Sequence, residues 1–423
     1  MRIVLIHQNF PGQLRHLAVE LVRKKIEFLA IGGPSAQTNP LFPTVKYNIN
    51  QKDVVTNIHP SIADFQSKVI RAQAVGKILE NLKGRNWIPD LIIGHSGWGE
   101  LLSTKDIFPN TPVIHFMEYF YHVTGLDVGF DSEFNSDHWE DAFRVRLKRS
   151  TQLLSLQDLD AVIMPTHFQA NTLPAEFKHK ARVIHEGIDT ESIAPRSGSC
   201  ITLKRAGVRF VPGDELVTFA SRSLEPLRGF HMFMRCLPAL QKLRPNAHVI
   251  IVGAEDISYG TRPQNSKSWK EKFTNEVCDK VDMNRIHFVG RVEHNTLHDL
   301  FRVCACHVYL TYPFVLSWSM LEAMSCGAVV IGSKTAPVEE VIEHQKNGLL
   351  VDFFDYNEIA HTISRVLSDY QSSRQLGINA RKTIVDNYDL NTICLPKMLN
   401  IIETVSGITL PHPITTSQKQ RNS

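Results

Sequence analysis

The sequence predicts an α/β protein with two tandem Rossmann-like domains, each built on a parallel sheet. Short apolar runs of strand length alternate with longer segments of helical period, which is the pattern of repeated βαβ units. The chain has 423 residues, more than one hydrophobic core usually serves, so two domains of roughly 200 residues each are expected. A stretch rich in Pro, Gly and Ser at residues 193–199 interrupts the alternation and is interpreted as the linker.

The first domain is predicted at residues 1–194. Its strands are expected at Ile3–His7, Glu27–Ile31, Leu91–Gly94, Val113–Met117, Ala161–Met164 and Arg182–His185, and its clearest helix at Ile62–Leu82. An insert of about residues 121–137, rich in Gly, Asp, Phe and Asn, follows the fourth strand. Loops of that length in compact domains are usually functional or mobile.

The second domain is predicted at residues 195–390, followed by a helix at 391–410 that can cross back to the first domain and a disordered polar tail at 411–423. Its strands are expected at Leu216–Ala220, His248–Val252, Arg285–Val289, Cys306–Leu310 and Ala328–Ile331. Open parallel sheets bind ligands at the carboxyl ends of their strands, so the site is expected in the cleft where the two domains face each other.

Composition excludes several classes of protein. A net charge of +3 lacks the basic excess of nucleic-acid-binding proteins, so no nucleic acid partner is expected. Seven cysteines without a Cys-x-x-Cys pair argue against disulfides and zinc sites and favour the cytoplasm. The N-terminus reads as a β-strand and not as a signal peptide, and no apolar run approaches the ~18 residues of a membrane span. Any membrane contact is therefore expected to be peripheral, at the inner face.

Residues 312–327 are the most informative stretch of the chain. The predicted strand Cys306–Leu310 leads into a loop with Ser317 and Ser319, which opens a helix with Glu322 in its first turn. Unpaired N–H groups and the helix dipole favour a phosphate there, and Glu322 could accept hydrogen bonds from a sugar diol. The alternative is that Ser319-x-x-Glu322 is a capping box, which many helices carry without a ligand. Local evidence alone favours the capping box.

Other candidates follow predicted strands. Gly12 lets the backbone approach a ligand after the first strand, or simply forms a tight turn. Because no Gly-x-Gly-x-x-Gly follows a strand, a nicotinamide dehydrogenase is improbable. Arg222 and Arg228 form a fork suited to a diphosphate, although such arginines are more often solvated or paired. Arg291 follows the strand at Arg285–Val289 and is a further candidate for ligand binding.

In the first domain, His95 and Glu118 end neighbouring strands. His95 is a candidate for proton handling or substrate binding, with a structural role as the alternative. Glu118 and Tyr119 belong to an aromatic cluster that could line a sugar or lipid pocket, although core packing is the default for such a cluster. The pair Asp158-Leu-Asp160 precedes a strand as a polar strand start, and no metal role is assigned to it.

Taken in order, these motifs resemble glycosyltransferase family 4, whose members have the two-domain GT-B fold. The resemblance runs from His7 to about Tyr388. It is carried by Leu321–Ile331, Pro337–Ile342, Asn347–Leu350 and His185–Asp189.

This resemblance implies transfer from a nucleotide sugar with retention of configuration and without a metal, the donor being held by the second domain and the acceptor by the first. Arg222 and Arg228 match the cations that neutralise the diphosphate, and Glu322 matches the second acid of the family's Glu-x7-Glu motif. Gly12 matches the loop glycine over the phosphates, and His95 a histidine found in some relatives. The catalytic candidates are His95, Arg222 and Arg228, and the donor-binding candidates are Gly12, Arg291, Phe314, Ser317, Ser319 and Glu322.

Two positions depart from the family pattern. Phe314 stands where the first acid of the motif should contact the donor sugar, so a less polar sugar becomes thinkable. Glu118 stands where many relatives have a histidine, and it is assigned with Tyr119 to the sugar or acceptor.

The predicted function is a metal-independent retaining glycosyltransferase without a cofactor, acting on a glycan or lipid-linked acceptor. A catalytically silent nucleotide-sugar binding protein and an epimerase of the same fold are the alternatives. The donor base, the donor sugar, the acceptor, the linkage and the oligomeric state stay open.

Overall fold

The computed structural model describes residues 1–49, 57–135, 138–204 and 206–411. The chain forms two compact units. The first unit comprises Met1–Val123, Asp137–Glu186 and Cys394–Ser423, and the second comprises Thr124–Ser136 and Gly187–Ile393. Apart from its first residue, the predicted disordered tail at 411–423 lies outside the described residues.

The first unit is built on a seven-stranded parallel sheet. Its strands are β1 (Arg2–Ile6), β2 (Glu27–Gly32), β3 (Thr44–Lys46), β4 (Leu91–His95), β5 (Val113–Phe116), β6 (Ala161–Met164) and β7 (Ala181–Val183). The helices of this stretch are α1 (Arg15–Arg23), α2 (Ala63–Gly84), α3 (Thr104–Ile107), α4 (Trp139–Lys148), α5 (Ser150–Asp158) and α6 (His167–Asn171).

The strand order of this sheet is β3-β2-β1-β4-β5-β6-β7. The chain adds β2 and β3 on one side of β1 and the later strands on the other side, so the order reverses between β1 and β4. The two strands pair in register, with Ile3 opposite Leu91 and Ile6 opposite Gly94. Both strands are covered on both faces, which explains their continuous apolar sequences. The carboxyl ends of β1 and β4 therefore mark the switch point where an open α/β sheet binds its ligand.

The second unit is built on a six-stranded parallel sheet and a small hairpin. Its strands are β8 (Ile201–Leu203), β9 (Val208–Phe210), β10 (Leu216–Ser223), β11 (His248–Ala254), β12 (Ile286–Gly290), β13 (Cys306–Tyr309), β14 (Val330–Ser333) and β15 (Leu349–Val351). Its helices are α7 (Phe230–Leu243), α8 (Trp269–Val277), α9 (His294–Val303), α10 (Trp318–Ser325), α11 (Ala336–Glu339), α12 (Tyr356–Ser368) and α13 (Tyr370–Tyr388). A final helix, α14 (Leu395–Ser406), belongs to the first unit.

The large sheet of the second unit has the order β12-β11-β10-β13-β14-β15, and β8 pairs antiparallel with β9. Its switch point lies between β10 and β13, where Val217 pairs with Cys306. The predicted fold class, two Rossmann-like α/β units with parallel sheets, is confirmed. The strands β3 and β15 and the hairpin of β8 and β9 were not predicted, because three-residue strands carry too little periodicity.

The final helix, the stretch interpreted as a linker and the insert all pack in apolar clusters of the two units. Met398, Ile401 and Ile402 of α14 pack in the same apolar cluster as β1 and β2. Ile193, in the stretch interpreted as a linker, packs in an apolar cluster of the second unit. The described part of the insert contributes Phe130 and Phe134 to the core of the second unit, although its sequence lies between elements of the first.

No helix in the described parts of the chain is both long enough and apolar enough to cross a membrane.

Candidate functional site

Arg228 lies in a short turn, Pro226–Arg228, that follows β10 at the switch point of the second unit. Gly229 has a φ of +68°, and a Cβ there would come within 2.3 Å of the Leu310 side chain, so a glycine lets the turn pack on the end of β13. Arg228 is buried, and its Nη1 donates to Thr311 Oγ1 and the Val315 carbonyl at 2.9 Å each and to the Tyr309 hydroxyl at 3.3 Å.

The partners of Arg228 are all uncharged. In the described residues no carboxylate forms an ion pair with it, although Arg235 pairs with both Glu133 and Glu276. A buried cation without a counter-ion is costly unless an anion binds there. The positive charge of Arg228 is therefore fixed in position and suits a negatively charged ligand.

Arg222 and Arg291 surround a carboxylate. Arg222 is exposed at the end of β10, and Arg291 forms an ion pair with Asp256. Ser223 Oγ donates to Asp256 Oδ1 at 2.6 Å. This hydrogen bond, followed by the charges of Arg291 and Arg222, lowers the pKa of Asp256 below its ordinary value. The predicted fork is thus unequal, since Arg228 is buried whereas Arg222 is exposed beside an acid.

The helix α10 begins differently from the capping-box interpretation. Ser317, not Ser319, is the N-cap residue: its hydroxyl accepts from Ser319 N at 3.4 Å, and its own N–H donates to the Tyr309 hydroxyl at 2.8 Å. The first turn of α10 contains no acidic residue, so Glu322 lies in the second turn. Both the predicted capping box and the predicted placement of Glu322 in the first turn are wrong. A helix capped by Ser319 would begin at residue 320, whereas α10 begins at Trp318.

Glu322 is buried, with 7% of its surface exposed. A carboxylate oxygen lies 3.5 Å from Nε2 of His298, on α9. Across the described parts of the chain no donor reaches this carboxylate with hydrogen-bond geometry. Its acceptor capacity is therefore available to a ligand, since buried polar groups normally have partners.

Phe314 is buried under the same loop. Its ring lies 5.0 Å from that of Tyr259 in an edge arrangement, and the Arg228 guanidinium is 5.9 Å from its centre. An aromatic wall therefore stands beside the buried cation, where the family pattern expects an acid.

In the first unit, His7 and Gly12 meet at the end of β1. Gly12 has a φ of +44°, and a Cβ on it would lie 2.2 Å from Cε1 of the buried His7 imidazole. Gly12 thus makes room for a side chain of its own loop. Burial, followed by the electrostatic interaction with His95, lowers the pKa of His7 to about 4, so His7 is neutral at pH 7.

His7, Gln13, His95 and Glu118 form one polar network. Nδ1 of His7 accepts from Asn9 N at 3.0 Å, and Nδ1 of His95 accepts from Gly97 N at 3.0 Å. A ring nitrogen that accepts a hydrogen bond carries no proton, so in both imidazoles the proton lies on Nε2. His7 Nε2 donates to Gln13 Oε1 at 2.5 Å, and Gln13 Nε2 donates to Glu118 Oε1 at 2.8 Å.

His95 completes the network from the end of β4. Its Nε2 lies 3.5 Å from Glu118 Oε2 and has no hydrogen-bond partner in the described residues. Its ring packs against Trp98, with centroids 4.2 Å apart. Burial tends to raise the pKa of Glu118, but interactions with His95, Gln13 and His7 lower it below its ordinary value. Glu118 is ionised, and 34% of its side chain is exposed.

Tyr119 is buried beside Tyr121. It is 4% exposed, its ring packs edge-on against Tyr121 at 5.5 Å, and its carbonyl accepts from Gln152 Nε2 at 2.6 Å. In the acid pair Asp158-Leu-Asp160, the second carboxylate has partners within the protein. Asp160 Oδ2 accepts from Val113 N at 2.7 Å and from Lys105 Nζ at 3.0 Å.

The insert carries a further set of polar contacts, within the second unit. Asp131 Oδ2 accepts from the Tyr312 hydroxyl at 2.7 Å and lies 3.0 Å from Nε2 of the buried His231. Burial tends to raise the pKa of Asp131, but the nearby His231 and the hydrogen bond from Tyr312 lower it below its ordinary value. The backbone N–H of Tyr312 donates to Leu227 O at 3.0 Å. Asp131 therefore steadies the loop that follows β13.

The structure gathers the candidates into two sets, each within one unit. The second unit brings together Arg228, Phe314 and Ser317, with Arg222, Arg291, Ser319 and Glu322 on neighbouring elements. The first brings together Gly12, His95 and Glu118. Sequence reasoning missed His7, Gln13, Asp131 and His298. For His7 a signal existed, because it directly follows the first strand at the switch point.

Two Rossmann-like units with polar residues at the switch point of each parallel sheet define the GT-B fold class. The structure of HepE from Anabaena in complex with UDP has this fold: it superposes with a TM-score of 0.66 at 18% identity, covering 96% of this chain and 100% of that one. A family model described as glycosyl transferase family 4 group matches residues 25–193, and one described as glycosyl transferases group 1 matches residues 204–383. The chain belongs to the family 4 type of glycosyltransferases.

Individual relatives of this chain are distant in sequence. Spore coat protein SA of Bacillus subtilis is 23% identical over 242 residues, 56% of this chain and 63% of that protein. A GDP-mannose-dependent α-(1-6)-phosphatidylinositol monomannoside mannosyltransferase of Mycolicibacterium smegmatis is 24% identical over 239 residues, 56% of this chain and 60% of that protein. The chain thus spans less than two thirds of the length of these relatives.

Proposed function

We propose that this protein is a metal-independent, retaining glycosyltransferase that moves a sugar from a nucleotide diphosphate sugar to a hydroxyl group. The observation that carries the proposal is Arg228, a buried guanidinium whose partners in the described residues are all neutral. Such a cation stabilises the negative charge that grows on the leaving diphosphate as the glycosidic bond breaks.

The nucleotide is assigned to the second unit. The diphosphate is held by Arg228 and Arg222, with the N-terminus of α10 at Ser317 and Ser319 offering further N–H donors. The ribose hydroxyls donate to Glu322, whose buried carboxylate lacks hydrogen-bond donors in the described chain. The named relatives use different nucleotides, UDP in the HepE complex and GDP-mannose in the mannosyltransferase, so the base stays open.

Metal independence is supported by the same residues. In metal-dependent sugar transfer a cation bridges the diphosphate, and here fixed arginines can supply the positive charge. The one Asp-x-Asp pair considered for a metal uses its second carboxylate on Val113 N and Lys105.

The first unit is assigned to sugar or acceptor hydroxyls. Nδ1 of His95 accepts from Gly97 N, so its Nε2–H is a hydrogen-bond donor and not a base. The ionised Glu118 beside it accepts hydrogen bonds from hydroxyls. We therefore assign His95 to orienting a hydroxyl oxygen and Glu118 to receiving its hydrogen. The acceptor is a glycan or a lipid-linked sugar, the latter implying peripheral membrane contact.

A panel of nucleotide sugars, followed by proton NMR, tests the proposal. A transferase slowly hydrolyses its own donor when no acceptor is present, and the anomer released first reports retention or inversion. Release of the α-anomer from an α-linked donor, undiminished by a chelator, is expected. Release of the inverted anomer, or strict dependence on added metal, contradicts the corresponding part of the proposal.

A nucleotide-sugar binding protein without transfer activity is the second candidate. It is favoured by Phe314, whose buried ring packs against Tyr259 where the family pattern has an acid. In the same panel a pure binder shows saturable binding by calorimetry but leaves every donor intact.

A further inference from the structure

Two histidines and a glutamate meet beside the proposed ribose site. His294 and His298 are the first and fifth residues of α9, so they share one face of the helix. One ligand atom from each imidazole and one oxygen of Glu322 all lie within 4.8 Å of one another. Two imidazoles and a carboxylate are a common ligand set for zinc with an open position.

His298 provides the second, independent observation. It is 92% buried, since 8% of its surface is exposed, and its Nε2 has no hydrogen-bond partner in the described residues. That atom lies 3.5 Å from Glu322 Oε2. A buried nitrogen without a partner is costly, and a metal ion would satisfy it. His294 is exposed and can rotate to bring its nitrogen to the roughly 3.4 Å ligand separation that bonds of about 2.1 Å require.

The other three-ligand cluster in the described residues also contains a buried histidine without hydrogen-bond partners, His231, but its carboxylates are already paired. In Asp131, Glu133 and His231, the Asp131 carboxylate accepts from Tyr312, and Glu133 forms a two-point ion pair with Arg235. Its carboxylates are therefore occupied, whereas Glu322 is not.

We propose that His294, His298 and Glu322 form a binding site for a divalent transition metal of the Zn²⁺ type, and that the metal excludes the nucleotide. The metal takes the carboxylate that the ribose hydroxyls need, so each ligand weakens the binding of the other by the same factor. The metal is an inhibitor and takes no part in transfer. The exclusion, but not the metal binding, rests on the proposed function of Glu322.

Calorimetry of ZnCl₂ binding to the chelator-treated full chain tests the site. Wild type is expected to bind one Zn²⁺ at this site, and His294→Gln and His298→Gln to weaken binding at least about 100-fold, because even removing an outer partner of a ligand costs about 10- to 100-fold. Co²⁺ should give the visible absorption of a tetrahedral site in wild type and lose it in both variants.

His248→Gln is the matched control, because Nδ1 of His248 lies 3.0 Å from Nε2 of His287 and two adjacent imidazoles are an alternative place for Zn²⁺ to bind. Unchanged Zn²⁺ affinity in His248→Gln supports the assignment. The proposal is overturned if wild type binds no Zn²⁺, if both α9 variants bind it like wild type, or if His248→Gln abolishes binding.

Exclusion is tested by donor hydrolysis at equal total Zn²⁺ in wild type and His294→Gln. Nucleotides themselves chelate Zn²⁺, but equally in both samples, so the difference reports the site. We expect inhibition of wild type and at least tenfold weaker inhibition of the variant; equal inhibition contradicts exclusion. If no donor is hydrolysed even with a chelator, the proposed function fails while the Zn²⁺ titrations still decide the metal site.

Discussion

The two parallel sheets have the same kind of switch point but carry opposite chemistry there. In the first unit, the imidazoles of His7, which follows β1, and His95, which ends β4, are arranged around the carboxylate of Glu118. In the second, Arg222 lies near the end of β10 and Arg228 follows that strand. The topology decides where a ligand binds, and the side chains at the strand ends decide which ligand it is. Neutral donors with one carboxylate suit hydroxyl groups, whereas fixed guanidinium groups suit a diphosphate.

The two sites also differ in how their charges are balanced. Glu118 lies within reach of two histidines and an amide, so its charge is already partly compensated. Arg228 contacts two hydroxyls and a carbonyl, so its charge is balanced only by dipoles. If this comparison is right, the second site should depend on its ligand's charge much more strongly than the first.

Removing the buried cation should have the largest effect. We expect Arg228→Ala to lower the rate of donor turnover about 100-fold or more, since losing one preorganised donor costs about 3 kcal/mol. The measurement is turnover of the donor that the panel identifies, with circular dichroism to verify folding.

Arg291→Ala is the matched control for Arg228, because the charge of Arg291 is already paired with Asp256. Its loss should be clearly smaller. A folded Arg228→Ala variant with near-normal turnover would remove the assignment of the diphosphate to this site, and with it the contrast between the two units.

Much of this contrast could be predicted from the sequence, because it depends on which residues follow buried strands. Arg228, Glu118 and His95 all come at or shortly after a run of apolar residues, and parallel strands bring their carboxyl ends to one edge. The starting point of α10 could not be predicted, because Ser317 and Ser319 are both good N-cap residues and only the three-dimensional path selects Ser317.

Long-range contacts were also out of reach. Asp131 lies in a polar insert 181 residues before Tyr312, and nothing local indicates that the insert packs with β13 and α7. The contact between Gly12 and His7 was out of reach for a similar reason. A loop glycine predicts a close approach, but not that the approaching group is the His7 ring of the same loop.

Disturbing the first site through Gly12 should have the second-largest effect. Gly12→Ala adds strain at a φ of +44° and places a Cβ 2.2 Å from the His7 ring, so the ring must shift and its hydrogen bond to Gln13 is disturbed. We expect a loss of about 1–3 kcal/mol in the free energy of unfolding, measured by urea titration.

Gly407→Ala separates the two causes. Gly407 belongs to the same unit and has a φ of +69°, but a Cβ there meets nothing within 4 Å. It should show the backbone strain without the clash. Equal losses in both variants would mean that the His7 ring adapts freely and that the first network is not rigid.

Glu322→Gln should have a smaller effect, on nucleotide affinity. The amide keeps the shape but replaces a charged acceptor with a neutral one, so the affinity for a nucleoside diphosphate should fall about tenfold. Calorimetry with UDP and GDP measures it. Glu293→Gln, an exposed acid next to α9, removes the same charge and should leave the affinity unchanged. Identical affinities for Glu322→Gln and wild type would return Glu322 to a structural role.

The smallest expected effect is a pH dependence that belongs to the first site. The pKa of His7 is lowered to about 4 by burial and by His95, whereas an unfolded histidine titrates near 6.5. The unfolded chain therefore takes up a proton first, so His7 contributes stability above pH 6.5 that is lost as the pH falls toward 4.

Between pH 7.5 and 5.5 this single group should cost about 1 kcal/mol of unfolding free energy. The buried His115, His185 and His307 also have lowered pKa values and add their own losses, so the wild-type change alone cannot isolate His7. His7→Gln can. Urea titrations at both pH values should show a change smaller by about 1 kcal/mol in His7→Gln than in wild type. An identical change in the two proteins would mean that His7 is protonated as readily when folded as when unfolded, and the first switch point would then carry positive charge like the second.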